Sequence, residues 1–271
     1  MKKNTLLLLV AMNITMLCSY ADEGRPIVSF CQETESIVES PIQQTLQETR
    51  KKLFELTHHD AVVMKNFDNF AEVLQVAFQK EKSMTVQEIE KICLGIDFAA
   101  EKHRFQTRKN KERTPYISHP IGVAYHLMEV GEVREASVVI GALLHDTVED
   151  TQTTFEEIEN KFGKQISGLV REVTDDKSLA RDVRKRFQVI SASHKSKGAA
   201  QIKLADKLFN LKDLYNNPPP DWTQARIDRY YEWAQSVVDR LPNANDKLHD
   251  AIKEIIDQYW EKQISAYTQT N

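Results

Sequence analysis

The chain has 271 residues, 41% of them hydrophobic, with 36 Lys and Arg against 40 Asp and Glu. This length and apolar fraction support a buried core in one large domain or two small ones, and they exclude an intrinsically disordered chain. Three Cys, 8 Gly and 8 Pro exclude a disulfide scaffold and a hairpin-rich all-β fold, and the net charge of −4 argues against sequence-independent nucleic-acid binding.

Residues 1–21 have the composition of an export signal. Two lysines precede an apolar run from Thr5 to Leu17, and the small residues Ser19 and Ala21 occupy the positions that a signal peptidase reads. The run is shorter than the roughly 20 residues that span a bilayer. We therefore predict cleavage after Ala21 and an exported protein, periplasmic or secreted; the loss of two basic residues gives it a net charge of −6. The alternative is a short N-terminal core helix in a cytoplasmic protein.

Residues 22–85 are predicted to form an N-terminal helical extension of unknown role. Apolar residues recur at helical spacing in residues 42–56 and 67–78, and no cluster in the extension suggests chemistry. The adjacent His58 and His59 would project about 100° apart on a helix, with no third ligand nearby. That spacing favours solvated surface over a metal site.

Two cysteines, Cys31 and Cys93, remain after the predicted cleavage. In an oxidising compartment they could pair, provided that their Cα atoms lie within reach. Cys93 also occupies an apolar position of a helical pattern, which is typical of a buried thiol. The sequence leaves both alternatives open.

Residues 86–264 show helical spacing almost throughout and are predicted to form one domain, followed by a tail at residues 265–271. Thr85 suits a helix N-cap, Pro120 suits a first helical turn, and Thr154 begins a capping-box pattern. No segment with a period of two competes. The predicted fold is all-α, with several helices packed around one core.

Four residues inside or beside these helical patterns are candidate metal ligands: His119, the adjacent pair His145 and Asp146, and Asp206. Asp206 lies in an apolar run, where a buried carboxylate is costly unless a charge or a metal pairs it. Two imidazoles and two carboxylates suit Mn²⁺, Fe²⁺ or Zn²⁺. The alternative is that each residue is structural: a core His bonded to a carbonyl, or an Asp paired with a neighbouring Lys.

The acidic pair Glu149 and Asp150 strengthens the metal hypothesis. These residues follow His145 by about one helical turn, so Glu149 would share a face with His145 if the helix continued. A carboxylate there can orient or deprotonate an attacking water, or support a ligand from behind. The alternative is that the pair caps a solvated helix end.

Six sequence blocks carry a resemblance to a known family. In chain order they are residues 103–109 (HRFQTRK), 114–120 (TPYISHP), 143–151 (LLHDTVEDT), 172–177 (EVTDDK), 203–211 (KLADKLFNL) and 230–234 (YYEWA). Over about residues 96–256 the chain resembles the HD-domain hydrolases, and among them the hydrolase domain of the RelA/SpoT family. The stand-alone small alarmone hydrolases of the metazoan SpoT-homologue type look most similar.

The resemblance implies a site and an activity. His119, His145, Asp146 and Asp206 would bind one divalent ion, usually Mn²⁺, while Glu149 and Asp150 would act on the hydrolytic water. The family removes the 3′-pyrophosphate from guanosine 3′,5′-bis(diphosphate), (p)ppGpp, and the metazoan type is also linked to dephosphorylation of NADPH. A hydrolytic water activated at a metal can perform either reaction.

An acidic protein that binds a polyanionic nucleotide needs local positive charge. The basic cluster before His119 supplies it, and its match to the family's Arg-Lys pair makes it a candidate for base stacking by Arg108 and phosphate binding by Lys109. Asn210, one helical turn after Asp206, could bond the sugar or base. The remaining candidates for substrate binding are Tyr116, Lys177, Lys207, Arg226 and Tyr230.

The expected partner is a small nucleotide, with no nucleic acid and no membrane span after cleavage. A synthetase domain is not expected after Trp260, which predicts a chain that only hydrolyses. An exported copy would meet little cytosolic alarmone, so scavenging of extracytoplasmic nucleotides and delivery into another cell are both hypotheses. The rival from another class is a non-catalytic nucleotide-binding module with a structural metal.

Overall fold

The computed structural model describes residues 41–270, which form twelve α-helices. The helices are α1 (Pro41–Leu56), α2 (Ala61–Gln79), α3 (Val86–Lys102), α4 (Ser118–Glu129), α5 (Ala136–Leu144), α6 (Thr147–Asp150), α7 (Phe155–Phe162), α8 (Lys164–Val173), α9 (Arg181–Ser191), α10 (Lys197–Asn216), α11 (Gln224–Val238) and α12 (Asp246–Thr270). Residues 41–270 contain no strand, only an isolated bridge between Thr107 and Pro115. The all-α prediction is confirmed.

Two predictions lie partly or wholly outside the described residues. The export signal and Cys31 both precede residue 41, whereas Cys93 is a buried free thiol whose pKa burial raises to about 12. Within residues 41–270, no helix is both long and apolar enough to cross a membrane.

The predicted helix boundaries follow from local side-chain chemistry. Thr85 begins α3 with a complete capping box, in which the Thr85 hydroxyl accepts from the Glu88 N–H and the Glu88 carboxylate accepts from the Thr85 N–H. Thr154 caps α7 through the Glu157 N–H, and α7 ends at Gly163, whose φ of 95° favours glycine. His119 is the second residue of α4.

The helices that precede residue 85 join the core of the rest of the chain. α1 packs against α3, and α2 packs against α4, with the buried side chains Leu53, Phe67 and Phe70 among the contacts that fill the core. Burial of each such side chain contributes about 1.5–3 kcal/mol. The described part of the predicted extension therefore supports the same core as α3 and α4.

α10 is the central helix of this core. It packs against α4, α5, α8 and α12, and it is apolar on nearly every face, with Leu204, Leu208 and Leu211 fully buried. Asp206 and Lys207 are carried on the same helix and are buried as well. Because α4, α5 and α10 contact one another, polar side chains on these three helices can meet inside the protein.

The peripheral helix α9 is much less buried than α10. α9 has no buried residue, and three of its apolar side chains, Val183, Phe187 and Ile190, are exposed. At the C-terminus α12 continues to Thr270, so residues 265–270, predicted as a tail, extend the last helix.

Candidate active site

The four predicted metal ligands meet at the junction of three helices. His119 comes from the first turn of α4, His145 and Asp146 from the residues that directly follow α5, and Asp206 from the middle of α10. Both histidines and Asp206 are buried. The sequence separation of these residues, up to 87 positions, is bridged by the packing of α4, α5 and α10.

The ligand atoms of this cluster converge. His119 Nε2 lies 3.3 Å from His145 Nε2, 3.3 Å from Asp206 Oδ1 and 3.4 Å from Asp146 Oδ2. His145 Nε2 lies 3.0 Å from Asp146 Oδ2. Ligand atoms of His119, His145 and Asp206 all lie within 4.8 Å of one another, close enough to bind one ion. We refer to His119, His145, Asp146 and Asp206 as the His-Asp cluster.

Charge in the His-Asp cluster suits a divalent cation. Burial opposes ionisation, yet the two histidines hold the pKa of Asp146, and Lys207 together with His119 holds the pKa of Asp206, well below the usual range. Burial also disfavours a charged imidazole, but Asp146 and Asp206 outweigh it and raise the pKa of His145 to about 9. Two anionic carboxylates facing two imidazoles form a donor set typical of Mn²⁺, Fe²⁺ or Zn²⁺.

Neighbouring groups fix the orientation of the ligands. His145 Nδ1 lies 2.6 Å from the carbonyl oxygen of Ala142, so Nδ1 is the donor and Nε2 is directed into the cluster. The Tyr116 hydroxyl donates to Asp146 Oδ2 at 2.6 Å. Asn210, one turn after Asp206 on α10, donates to Asp206 Oδ1 at 2.6 Å.

The acidic pair Glu149 and Asp150 lies on α6, beside the cluster. The helix is interrupted at His145 and Asp146, so the expected continuous helical face from His145 to Glu149 does not form. Glu149 is instead oriented by the backbone N–H of Asp175, which donates to Oε2 at 3.0 Å, and by Arg184 Nη1, 3.4 Å from Oε1. Burial raises the pKa of Glu149, which makes its carboxylate a better proton acceptor.

Asp150 is held from two sides. Its carboxylate pairs with Lys177, and its carbonyl oxygen accepts from Gln106 Nε2 at 2.6 Å. Gln106 is itself fixed, because its Oε1 lies 2.7 Å from His103 Nδ1. The first and third sequence blocks are thereby joined at the acidic pair.

A pocket of about 470 Å³ opens over the His-Asp cluster. Its lining contains the four candidate ligands, the acidic pair and most of the predicted substrate-binding residues: Arg108, Lys109, Tyr116, Lys177, Lys207, Asn210 and Tyr230. Arg226 is the exception, since it lines a neighbouring groove and stacks on Trp222, with 4.2 Å between guanidinium carbon and ring centroid.

The cationic candidates differ in how free they are to meet a ligand. Arg108 is held at 2.7 Å by Asp213 and at 3.0 Å by Asn210 Oδ1, and it lies over the rings of Tyr116 and Phe209. Lys207 is buried and pairs with Asp206 at 2.9 Å. Lys109 is exposed at the pocket rim and is therefore the cation most accessible to a phosphate.

Sequence reasoning missed four residues that orient the site. Gln106 and Asp175 lie within two of the six sequence blocks, close to candidate site residues, and this position could have marked them as part of the site. Arg184 and Gln188, which bond Glu149 and Asp175, belong to the polar helix α9 and had no motif to mark them.

Taken together, an all-helical core with a buried His-Asp cluster at its centre is the arrangement of an HD-domain protein. The model of the HD-domain family matches residues 95–232, and the chain belongs to this family. The resemblance to the metazoan SpoT-homologue type is confirmed by similarity that covers about nine-tenths of its members and about three-fifths of this chain.

The chain is similar to two proteins named guanosine-3′,5′-bis(diphosphate) 3′-pyrophosphohydrolase MESH1. It is 52% identical to that of Homo sapiens over 162 residues, which cover 60% of this chain and 90% of the relative. It is 48% identical to that of Drosophila melanogaster over 163 residues, 60% of this chain and 91% of the relative. A solved structure described as a metazoan ortholog of SpoT that hydrolyses ppGpp matches with a TM-score of 0.61 and 47% identity, over 62% of this chain and 95% of that one.

Proposed function

We propose that this protein is a metal-dependent hydrolase that removes the 3′-pyrophosphate from ppGpp and pppGpp. The observation that carries the proposal is the convergence of the His-Asp cluster, the acidic pair Glu149 and Asp150, and the cation Lys109 in one pocket. Such a pocket offers an ion site, a proton acceptor and a phosphate-binding charge within reach of one substrate. The activity named for the MESH1 relatives, which share about half of their residues with this chain, supports the same assignment.

The His-Asp cluster would hold the divalent ion, which supplies activation of a water nucleophile and withdrawal of charge from a phosphoryl oxygen. Glu149 accepts the proton of the attacking water, because its partly buried carboxylate has a raised pKa and is fixed by Asp175 and Arg184. Asp150 orients the water from the adjacent position. The Tyr116 hydroxyl keeps Asp146 in place through its hydrogen bond.

We propose Mn²⁺ as the resident ion. A set of two imidazoles and two carboxylates is harder than a cysteine-containing set and leaves positions for water, which suits Mn²⁺ as well as Fe²⁺ or Zn²⁺. Comparing activity after reconstitution with each of these ions ranks them. Higher turnover with Zn²⁺ than with Mn²⁺ would contradict the proposal.

A second candidate reaction at this site is release of the 2′-phosphate of NADPH. The observation that favours it is the groove beside the pocket, whose aromatic side chains Trp222, Tyr230 and Trp233 can accommodate a second ring system. Both reactions place a ribose phosphate beside the same cluster.

One experiment separates these proposals. The chain without residues 1–21 is offered ppGpp and NADPH separately, with Mn²⁺ and with EDTA, while pyrophosphate and phosphate release are measured. Pyrophosphate from ppGpp that EDTA abolishes is the expected result. Phosphate from NADPH alone would retain the site and overturn the alarmone assignment.

The rival, a non-catalytic module with a structural metal, is tested by Asp146→Ala. An enzyme with this substitution loses turnover while its helical circular dichroism is retained. A binding module shows no turnover before the substitution and a lower melting temperature after it.

We propose that residues 1–21 direct export and that cleavage follows Ala21. The support is the composition of the segment, with two lysines before an apolar run and small residues before an acidic one. N-terminal sequencing of the protein recovered from the medium or periplasm is expected to begin at Asp22. A cytosolic chain that begins at Met1 would overturn this proposal.

A further inference from the structure

A second groove, of about 930 Å³, lies between α9 and α11 and adjoins the active-site pocket. Arg181, Trp222 and Tyr230 line both spaces, so the two lie side by side. Beyond these shared residues the groove carries further basic side chains: Lys185, Arg186, Arg226 and Arg229. We refer to this space as the α9–α11 groove.

Aromatic rings and cations are interleaved along the groove. The ammonium group of Lys185 lies 4.4 Å from the ring centroid of Trp233 and 5.5 Å from that of Tyr230. Lys207, the partner of the candidate metal ligand Asp206, lies 4.7 Å from the same Trp233 ring. Lys185 is therefore one aromatic ring away from the charge network of the His-Asp cluster.

The basic residues of the groove have no carboxylate partners. Among residues 41–270, none of the five forms an ion pair within 4.0 Å, although many other Lys and Arg of the protein do, Arg50, Arg134 and Arg184 among them. Of the described residues that line the groove, Asp182 and Glu232 are the two acidic ones. Burial and the neighbouring cations lower the pKa of Lys185 to about 8, which is the expected effect of uncompensated positive charge.

Unpaired cations held against aromatic faces form a site for a multiply charged anion. The aromatic faces hold Lys185 and Arg226 in place, and the N–H groups of these cations stay available to acceptor oxygens. The chain as a whole is acidic and would repel such an anion. Five basic residues in one groove make the local electrostatic potential positive and therefore attract it. Because the groove shares three lining residues with the pocket, an anion bound here can belong to the same nucleotide that occupies the pocket.

We propose that the α9–α11 groove binds the 5′-phosphate chain of the substrate, and that Lys185 and Arg229 recognise the third phosphate of a 5′-triphosphate. This inference rests on the proposed function, because it assumes that the 3′-pyrophosphate occupies the His-Asp cluster. The shared residues Arg181 and Tyr230 then lie between the two phosphate arms of one nucleotide. The protein prefers pppGpp to ppGpp as a consequence.

The test compares kcat/KM for pppGpp and ppGpp in the wild type and in Lys185→Met. We expect about a tenfold loss for pppGpp and about a twofold loss for ppGpp, both through KM, so that the preference falls about fivefold. Lys185→Arg retains the charge and is expected to retain the preference. A preference that stays within twofold of wild type in Lys185→Met overturns the inference.

Two further variants serve as a control and as a substitute for Lys185→Met. Lys91→Met removes an exposed lysine of α3 that lines neither the pocket nor the groove, and it is expected to leave both rates as in wild type. If Lys185→Met does not fold, the exposed Arg229→Met carries the same comparison with the same expected direction.

The experiments distinguish an incorrect groove inference from an incorrect proposed function. If the wild type hydrolyses neither nucleotide, the proposed function fails, and the groove is tested by tryptophan fluorescence with tripolyphosphate as the probe. Saturable quenching in the wild type that weakens at least fivefold in Lys185→Met supports the anion site. Absence of quenching, or equal quenching in both proteins, overturns it.

Discussion

At Gly122, on α4, the absence of a side chain lets the ring of Phe209 approach the helix. A Cβ atom at this position would lie 2.1 Å from Phe209 Cε2, far inside van der Waals contact. The Phe209 ring packs edge-on against His119, with 5.0 Å between ring centroids, and also supports Arg108. Gly122 therefore helps to fix the position of His119, a candidate metal ligand.

We expect Gly122→Ala to lower the free energy of unfolding by about 1–3 kcal/mol, because the rigid Phe209 ring must shift. Metal affinity is expected to fall with it. Gly168→Ala is the matched control, since nothing lies within 4 Å of its Cβ position and alanine favours the helix by up to about 1 kcal/mol. Urea unfolding measures both; equal stabilisation by the two substitutions would contradict the clash.

Under the proposed function, substitution of Glu149 separates proton transfer from metal binding. Glu149→Gln keeps the shape of the side chain but removes its basicity, so kcat is expected to fall about 10²–10⁴-fold. The His-Asp cluster is untouched, and calorimetric Mn²⁺ binding is expected to stay within threefold of wild type. Glu156→Gln, on an exposed face of α7, is the control. A kcat within threefold of wild type would exclude Glu149 as the base.

Individual site residues were predictable to different extents. Asp206 was marked by its position within an apolar run, and the histidines were marked by the sequence blocks around them. The orientation of Glu149 was not predictable, because it depends on the helix interruption at His145 and Asp146 and on a backbone donor 26 residues later. A contact of that kind leaves no local pattern in the sequence.

Among the elements, α9 is the one held mainly by polar and cation–aromatic contacts. Arg184 bonds Glu149, Gln188 bonds Asp175, and Lys185 lies over Trp233, while no side chain of the helix is buried. α10, in contrast, is surrounded by apolar contacts. The stability of α9 is therefore tied to the acidic site that it orients.

We expect the amide hydrogens of α9 to exchange faster than those of α10, because segments with few buried apolar contacts open at low free energy. Arg184→Met is expected to accelerate exchange in α9 and to lower kcat several-fold by releasing Glu149, with little change in KM. Arg240→Met, an exposed arginine just after α11, serves as control. Uniform exchange across α9 and α10 would contradict this account.

The helical elements themselves were more predictable than the way they pack. The spacing of apolar residues and the capping residues Thr85 and Thr154 place helix starts correctly, because these signals are local. The polar composition of residues 22–85 favoured a separate extension, whereas the structure packs α1 and α2 onto α3 and α4. Such packing depends on which face meets which helix, and one sequence does not specify it.

For the whole molecule, His126 gives stability a dependence on pH. Burial, with a smaller effect of Lys212, lowers the pKa of His126 in the folded protein from 6.5 to about 4. The unfolded chain therefore binds a proton first, and stability decreases as the pH falls from about 6.5 to about 4, by roughly 3 kcal/mol at most.

We expect His126→Gln to remove this contribution. When the pH is lowered from 7 to 5, the wild type is expected to lose at least about 1 kcal/mol more of its unfolding free energy than the variant. His194→Gln, which changes an exposed histidine, is the control. Urea unfolding in EDTA at both pH values measures the differences; a difference that is constant with pH would contradict the prediction.

The sparse burial of α9 has a thermal consequence for the enzyme. Heat-capacity changes arise mainly from apolar surface that becomes exposed; α9 has no fully buried side chain, and of its apolar residues Val189 alone packs, partly buried, against the described core. The enthalpy of that opening is therefore nearly constant with temperature, whereas the enthalpy of global unfolding is not. The equilibrium constant for opening of α9, and with it access to the acidic site, should therefore give a straight van 't Hoff plot. The free energy of unfolding of the whole fold should curve with temperature over the same range.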